Sequence, residues 1–322
     1  MKLKKQKQPN HGWYIEMQHV LKKAMVGGVF PSWLGHIQCA SSLEKNFLYD
    51  EIFVQKTYLK HGIQLKAGDC VVDVGANVGL FTLFASHAVA GSCGSKKGRV
   101  LCIEPVPHTF RCLKNNLSMY AAWCETHGEN VATFVPLCLA VGNNDEVHEE
   151  QGVFNYFPRA QGWNAMERVA DMDGMKKDLK IFIDNSIQNG STSLPGWLVW
   201  IGHVLKVHVP LLYGLVIRLA TWYLLLGARK VSCQVTTLSE ILRCHDIERV
   251  DLLKIDAEGS ELLIVQGIEP VHWDTCIKAM VAEVHEKNLK DFVQLARENF
   301  DNVVAEQADD MRGTSLWMVF CR

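Results

Sequence analysis

The chain has 322 residues, of which 48% are hydrophobic and 21% are charged, so it has a globular composition with enough apolar material for a large core. Its formal net charge of -2 leaves no surplus of lysine and arginine to neutralise phosphates, and we therefore expect no nucleic acid partner. Its 11 cysteines contain no C-x-x-C pair, which predicts reduced thiols and a cytoplasmic location rather than a disulfide framework or a zinc site.

Residues 1–62 are predicted to form a lead-in to the main domain. The chain opens with a basic run, Lys2 to Lys7, that lacks the apolar stretch of a signal peptide. Apolar and charged residues then alternate at helical spacing as far as Tyr58. We expect a disordered start, then a helical part that covers one end of a sheet, and a main domain over residues 63–322.

A glycine-containing loop follows the first predicted core strand, which spans residues 70–74. The loop contains Gly75, Ala76, Asn77 and Gly79, and an apolar helical pattern begins at its end. Glycines let backbone N–H groups approach a ligand closely, and the start of a helix favours an anionic group. The spacing matches neither the G-x-G-x-x-G of dinucleotide sites nor the lysine ending of a phosphate loop. It fits S-adenosyl-L-methionine better.

Glu104 ends the second predicted strand, about 30 residues beyond the glycine loop. In a doubly wound sheet, ligands lie beyond the carboxyl ends of the strands, where an acid can accept both ribose hydroxyls. Glu104 is therefore the predicted ribose ligand. A third strand near residues 132–138 leads to Ala140 and Val141, which by position would flank the adenine, although both residues would also suit a plain core.

Residues 145–230 interrupt the alternation of strands and helices and are predicted to be an insertion that contacts the substrate. We expect short strands at 147–150 and 153–157. The part from 194 to 227 is rich in tryptophan, tyrosine and aliphatic residues and has very few charges. Three interpretations remain open: an interfacial or re-entrant helical hairpin that makes peripheral membrane contact, a lid over an apolar substrate, and a segment foreign to the ancestral fold.

Strand and helix alternation resumes after Gly227, which predicts a mostly parallel α/β sheet with an antiparallel edge. Lys254 and Asp256 lie two apart on one predicted strand, and Glu283 and His285 lie two apart on the next, so each pair projects from one face. A buried lysine needs a carboxylate partner. The cluster of these four residues is either a structural ion pair or the floor of a catalytic site.

Methyl transfer to an oxygen requires an in-line approach and removal of the acceptor's proton. Asp256 is the first choice as the base, with Glu283 or His285 as alternates, and Lys254 would tune or orient the base. Asp256, Glu258 and Glu283 offer oxygen ligands for a divalent ion. Because acids near a helix start are already explained by the helix dipole, we predict no metal.

Four stretches resemble the FkbM family of S-adenosylmethionine-dependent methyltransferases: V-D-V-G-A-N-V-G-L at 72–80, C-I-E-P at 102–105, T-T-L-S-E at 236–240 and L-L-K-I-D-A-E-G-S-E at 252–261. The resemblance covers roughly residues 50 to 320. It implies a class I methyltransferase fold, which is a Rossmann-like seven-stranded sheet with helices on both faces, and O-methylation of sugars or natural products. It also implies that Asp73, Gly75, Asn77, Gly79 and Glu104 hold the cofactor and that Lys254, Asp256 and Glu258 line the reaction side.

The predicted function is methyl transfer from S-adenosyl-L-methionine to a hydroxyl of a small molecule or glycan. A rival hypothesis is a membrane-peripheral interaction protein that keeps the cofactor fold without turnover. The apolar segment adds membrane association to the predicted cytoplasmic location. The acceptor and the oligomeric state do not follow from the sequence.

Overall fold

A computed structural model describes residues 32–91, 97–147, 151–167, 169–188, 196–308 and 311–322. The basic run and the predicted disordered start lie outside these residues. The described part of the lead-in contains an α-helix at Ser42–Tyr49, with a 3₁₀ helix at Ser32–His36 before it and a π-helix at Asp50–Val54 after it. The cysteines in the described ranges are free thiols.

The strands are β1 (Cys70–Val74), β2 (Arg99–Ile103), β3 (Thr133–Leu137), β4 (Ala140–Val141), β5 (Gln151–Tyr156), β6 (Ala165–Met166), β7 (Arg229–Thr236), β8 (Leu252–Ile255), β9 (Met280–His285), β10 (Val303–Glu306) and β11 (Leu316–Cys321). The helices are α1 (Ser42–Tyr49), α2 (Leu80–Val89), α3 (Pro107–His127), α4 (Asn144–Val147), α5 (Met172–Gln188), α6 (Gly196–His208), α7 (Pro210–Leu225), α8 (Leu238–Cys244), α9 (Glu261–Gln266), α10 (Pro270–Thr275) and α11 (Glu286–Asn299).

The main sheet has seven strands in the order β10-β11-β9-β8-β1-β2-β3. Strands β9, β8, β1, β2 and β3 are parallel, and β11 is antiparallel to both of its neighbours. The predicted mostly parallel α/β sheet with antiparallel pairing at one edge is confirmed. The antiparallel strand lies one position inside that edge.

Alternating apolar side chains hold helices on both faces of this sheet. Val71, Val100 and Leu252 pack on one side against α2, α3 and the helical lead-in. Their neighbours in sequence, Val72 and Leu101 among them, pack on the other side against α8 to α11. Since both faces are covered, the central strands are apolar without interruption except at the functional positions.

Strands between residues 140 and 236 build a second, four-stranded sheet in the order β4-β7-β5-β6. The strand that follows Gly227 is β7 and therefore belongs to this sheet. The prediction of a strand beginning at Val147 is wrong, because Val147 ends helix α4, while residues 148–150 lie outside the described ranges. The predicted strand at 153–157 corresponds to β5.

The apolar segment forms a helical hairpin in which Val209 alone separates α6 from α7. Pro210 occupies the first turn of α7, where its missing N–H costs nothing. The hairpin packs on α5 through a small cluster that includes Ile187, Tyr213 and Ile217. Within the ranges that the structure covers, every helix is too short or too polar to cross a bilayer.

The turn before α2 depends on Gly79, whose φ of +94° lies in the left-handed region. A Cβ atom at this position would lie 2.5 Å from Leu113 Cδ1 on α3. Gly128, which ends α3, also has a positive φ, but a Cβ atom there would meet nothing within 4 Å. A substitution at Gly128 therefore introduces backbone strain alone, whereas one at Gly79 introduces backbone strain together with steric crowding.

We expect Gly128→Ala to lower the free energy of unfolding by about 1 kcal/mol through backbone strain alone. Gly79→Ala should cost about 3 kcal/mol, because overpacking against Leu113 adds to a similar strain. Urea titrations of the two variants test the difference. Equal losses would contradict the packing argument.

Candidate active site

A cavity of about 460 Å³ lies beyond the carboxyl ends of β1, β2 and β8. Its floor includes Gly75, Glu104 and Asp256, and its roof comes from α1, α5, α7 and the turn at Gln161–Trp163. One cavity thus joins the glycine loop to the carboxylates of the neighbouring strands.

The glycine loop lies directly against the end of β8. Gly75 has a φ of +74°, and a Cβ atom on it would lie 1.7 Å from the carbonyl oxygen of Asp256. Only glycine fits this contact without displacing the backbone. The N–H groups of Gly75 and Ala76 donate to the carbonyl oxygen of Ile103, which fixes the loop over β2 as well.

Glu104 accepts hydrogen bonds on both of its oxygens. The backbone N–H of Asn77 donates to one oxygen and that of Val106 to the other, each at 3.0 Å. Burial raises the pKa of Glu104 to about 7, although both N–H groups oppose the shift. The side chain lines the cavity, and each oxygen keeps acceptor capacity for a ligand's hydroxyl.

Asn77 also faces the cavity, and its φ of +50° places it in the left-handed region. Its side-chain oxygen is buried and has no hydrogen-bond partner among the described residues. A buried polar atom without a partner is costly, so this oxygen suits a ligand that donates a hydrogen bond. Ala140 and Val141 line the same part of the cavity.

Asp73 lies beneath the loop rather than in the cavity lining. Its side chain is fully buried, and one oxygen accepts a 2.6 Å hydrogen bond from the hydroxyl of Thr82. The other oxygen lies 3.2 Å from Lys254 Nζ. Asp73 is therefore held by Thr82 and Lys254, because its face of β1 points into the layer beside α2.

Lys254 ties the loop to the neighbouring strand. It is paired in register with Asp73 on the adjacent parallel strand. Its ammonium donates to the carbonyl oxygen of Gly75 at 2.9 Å and lies 3.3 Å from Asp256 Oδ2. Burial alone would lower the pKa of Lys254, but the carboxylates of Asp73 and Asp256 outweigh it and raise the pKa. Lys254 is therefore a cation at neutral pH.

Three carboxyl groups meet at the reaction side of the cavity. Asp256, Glu258 and Glu283 each place one oxygen within 4.8 Å of the others. Burial raises the pKa of Glu258 to about 8, with repulsion from Asp256 adding to the shift. Burial and the charges of Asp256 and Glu258 raise the pKa of Glu283 well above its ordinary value. Carboxyl groups this close together stay protonated unless a nearby cation offsets their negative charge.

His285 lies behind this cluster and outside the cavity lining. Its ring nitrogens lie 3.5 Å from Glu261 Oε1 and 4.0 Å from Glu258 Oε2. Burial would lower the pKa of His285, but the two glutamates raise it to about 9. His285 is thus protonated at neutral pH and balances buried negative charge.

Tyr58 is a cavity residue whose role the sequence analysis missed. Its hydroxyl donates to Asp256 Oδ2 at 3.3 Å, although 198 positions separate the two residues. Its ring lies 5.5 Å from Lys254 Nζ. Burial raises the pKa of Tyr58 well above its ordinary value, so the hydroxyl keeps its proton. The helical pattern of the lead-in carries no signal for this contact.

The roof joins the lead-in to the insertion. Glu44 on α1 accepts a 2.9 Å hydrogen bond from the N–H of Gly162, and burial raises the pKa of Glu44 to about 7. Phe47 on α1 contacts Phe182 on α5 edge to face, with ring centroids 4.8 Å apart. These contacts cover the carboxylates with apolar rings.

The structure thus brings most, but not all, of the predicted site residues to the cavity. The predicted residues that line it are Gly75, Asn77, Glu104, Ala140, Val141, Asp256, Glu258 and Glu283. Asp73, Ala76, Gly79, Lys254 and His285 lie beneath or beside these residues and hold them in place. A sheet with a glycine loop at β1 and an acid at the end of β2 is the architecture of a class I methyltransferase.

Comparison with known proteins agrees with this class. A profile for the methyltransferase FkbM domain matches residues 219–314. The chain is 29% identical over 289 residues to the 31-O-demethyl-FK506 methyltransferase FkbM of Streptomyces tacrolimicus, covering 87% of this chain and 90% of that protein. It is 24% identical over 254 residues to methyltransferase sdnD of Sordaria araneosa, covering 76% and 77% of the two chains. The chain is therefore similar to the FkbM methyltransferases.

A third relative shows that this unit also occurs within a larger protein. The AMB antimetabolite synthetase AmbE of Pseudomonas aeruginosa is 29% identical over 264 residues, which cover 80% of this chain. The match spans only 10% of that synthetase. The name of the synthetase therefore describes a much larger protein, and this chain resembles only a small part of it.

Removing the buried ammonium should leave Asp73 without a counter-charge. We expect Lys254→Met to lower the free energy of unfolding by about 3 kcal/mol, and the double variant Asp73→Asn/Lys254→Met to recover part of that loss. Lys278→Met is the control, because Lys278 is exposed and lies 3.5 Å from Asp251. This control substitution should lower the free energy of unfolding by less than about 1 kcal/mol. If urea titrations show equal losses of unfolding free energy for both single variants, the buried ion pair between Lys254 and Asp73 is contradicted.

Proposed function

We propose that this methyltransferase uses S-adenosyl-L-methionine to methylate a hydroxyl group on a small molecule or glycan with an apolar portion. The observation that carries the proposal is the single cavity that joins the glycine loop and Glu104 to Asp256. A nucleoside site and a proton acceptor in one enclosed space are what such a transfer requires. The name of the Streptomyces relative supports O-methylation.

The residues of the cavity fit the cofactor. Gly75 leaves no room for a side chain, and Glu104 can accept hydrogen bonds from ribose hydroxyls. The unpartnered side-chain oxygen of Asn77 suits a hydrogen-bond donor, and Ala140 and Val141 offer apolar contact to an adenine. When bound, the cofactor supplies a methyl group on a positively charged sulfur.

Asp256 is the proposed base. Its carboxylate lines the cavity and faces the Lys254 ammonium and the Tyr58 hydroxyl. It can therefore accept the proton of an acceptor hydroxyl that lies beside it in the cavity. Lys254 and Tyr58 hold the carboxylate in position, and Asp73 acts through Lys254 rather than on the cofactor.

Glu283 and His285 are less suited to this role. The raised pKa of Glu283 favours its protonated form, which can donate a hydrogen bond to the acceptor's oxygen. His285 already carries a proton and lies outside the cavity lining. Lys254 and His285 also supply positive charge to the acids that would otherwise attract an ion, and we assign no metal to Asp256, Glu258 and Glu283.

The roof supports an acceptor with an apolar part. Phe47, Leu179, Phe182, Ile183 and Leu224 all face the cavity. These side chains favour apolar groups and exclude water from the carboxylates below them. A hydroxyl held at Asp256 would then belong to a molecule whose remaining surface contacts this roof.

Cofactor affinity should depend on the ionisation of Glu104. The ionised carboxylate accepts ribose hydroxyls, so affinity is full above the pKa of about 7 and falls as the pH drops below it. We expect S-adenosylhomocysteine, the demethylated product, to bind about tenfold more weakly at about pH 6 than at about pH 8. Calorimetry measures both values.

Glu104→Gln should bind weakly at every pH, with the pH dependence lost. Glu125→Gln, at an exposed position on α3, should behave as the wild type does. An unchanged pH dependence in Glu104→Gln would remove Glu104 from the site. If the wild type shows no binding of S-adenosylhomocysteine, the proposed cofactor is wrong.

Asp256→Asn should lower the transfer rate by about a hundredfold or more while cofactor affinity is kept. The assay follows an isotope-labelled methyl group from S-adenosyl-L-methionine into extracts of cells that lack the protein, which also isolates the acceptor. Asp274→Asn, exposed on α10, is the control and should retain full activity. Full activity in Asp256→Asn would exclude this base, and a loss of wild-type activity with EDTA would contradict the metal-free assignment.

A further inference from the structure

The α6–α7 hairpin exposes most of the large apolar side chains that are open to solvent in the described residues. Leu211, beside the turn between the helices, is 90% exposed. The exposed set on the hairpin is Trp197, Trp200, Ile201, Val207, Val209, Leu211, Leu212, Leu215, Val216, Leu219, Trp222, Tyr223 and Leu226. A continuous apolar surface of this kind on a folded protein marks an interaction site.

Helix α7 has two apolar faces. Tyr213, Ile217 and Thr221 follow one another at a spacing of four and are buried against the rest of the protein. Leu215, Leu219 and Trp222 form a second stripe at helical spacing, and it is exposed. Packing inside the molecule accounts for the first stripe only, so the second needs another partner.

The charged residues around the hairpin indicate which kind of partner fits its exposed surface. Residues 185–239 contain no aspartate or glutamate and four cations, Lys206, Arg218, Arg229 and Lys230, in a chain whose net charge is -2. Lys206 and Lys230 pair with Asp184 and Glu167, whereas Arg218 and Arg229 are exposed. Because residues 196–228 contain no acid, two hairpins facing each other would offer Arg218 no carboxylate.

We propose that the α6–α7 hairpin docks the protein on an anionic phospholipid surface, with both helices lying in the interface. Aliphatic side chains beside a tight turn can enter the acyl region, while tryptophan and arginine remain at the headgroup level. Helices of 13 and 16 residues are too short to span a bilayer, which fits a surface element.

The docking surface continues to the mouth of the cavity. Tyr223 is 55% exposed on the hairpin and also lines the cavity. The guanidinium of Arg159 lies 4.8 Å from the centroid of the Tyr223 ring and donates a hydrogen bond to the carbonyl oxygen of Leu226. A docked hairpin would therefore bring the lipid surface next to the cavity entrance, from which an amphipathic acceptor can enter without crossing water.

Flotation of the full-length protein with vesicles tests the proposal. One set is phosphatidylcholine, and the other contains about a third phosphatidylserine, which sets the negative surface potential. We expect the protein to float with the anionic vesicles and to be released when the salt is raised from about 0.05 M to about 0.5 M. Leu215→Asp/Leu219→Asp should lower partitioning at least about tenfold, since it removes two inserted leucines.

The matched control is Val54→Asp/Val271→Asp, which changes two exposed valines away from the hairpin and should float as the wild type does. Unchanged affinity for S-adenosylhomocysteine in both double variants confirms that each is folded. Arg218→Glu should weaken binding to anionic vesicles in particular.

Three outcomes would overturn the proposal. Wild-type protein that stays with neither kind of vesicle shows that the hairpin does not dock. A dimer in light scattering that Leu215→Asp/Leu219→Asp converts to a monomer shows that a second copy covers the surface. Flotation that survives in that double variant places the binding elsewhere, such as the basic run at Lys2 to Lys7. None of these results depends on turnover, so a failure here leaves the proposed reaction untouched.

Discussion

The Lys254 ammonium is the contact on which the rest of the site depends. It joins the Asp73 carboxylate, the Gly75 carbonyl and the Asp256 carboxylate, which come from two adjacent strands and the loop between strand and helix. A buried charge of this kind is tolerated only when all of its partners are present. The glycine loop and the Asp256 carboxylate are therefore held in place by one cation rather than positioned separately.

Much of this arrangement follows from short-range patterns in the sequence. The strand period of two placed Lys254 and Asp256 on one face, and the loop spacing placed Gly75 and Asn77 in a turn that faces the cavity. Glu104 could be placed at the cavity because the carboxyl ends of parallel strands share one edge of the sheet. Each of these inferences needs only a few neighbouring residues, and local backbone geometry decides them.

Other features depend on contacts between distant parts of the chain. Tyr58 reaches Asp256 and Glu44 reaches Gly162 across long sequence separations, and no periodicity marks either pair. Protonation states are equally non-local, since the pKa of Glu283 reflects burial together with acids from other elements. Asp73 belongs to the motif, yet only the packing of α2 on β1 shows that it meets Thr82. The composition marked 194–227 as unusual, but the fold was needed to show which face is covered.

The insertion leaves and rejoins the main fold at one place. The N–H of Gly142, just after β4, donates to the carbonyl oxygen of Thr236 at the end of β7, so the detour begins and ends at neighbouring points. A detour closed in this way can change in length and sequence without shifting β1, β2 or β8. Changes in this detour can therefore reshape the chamber above the carboxylates while the glycine loop and Glu104 keep their positions.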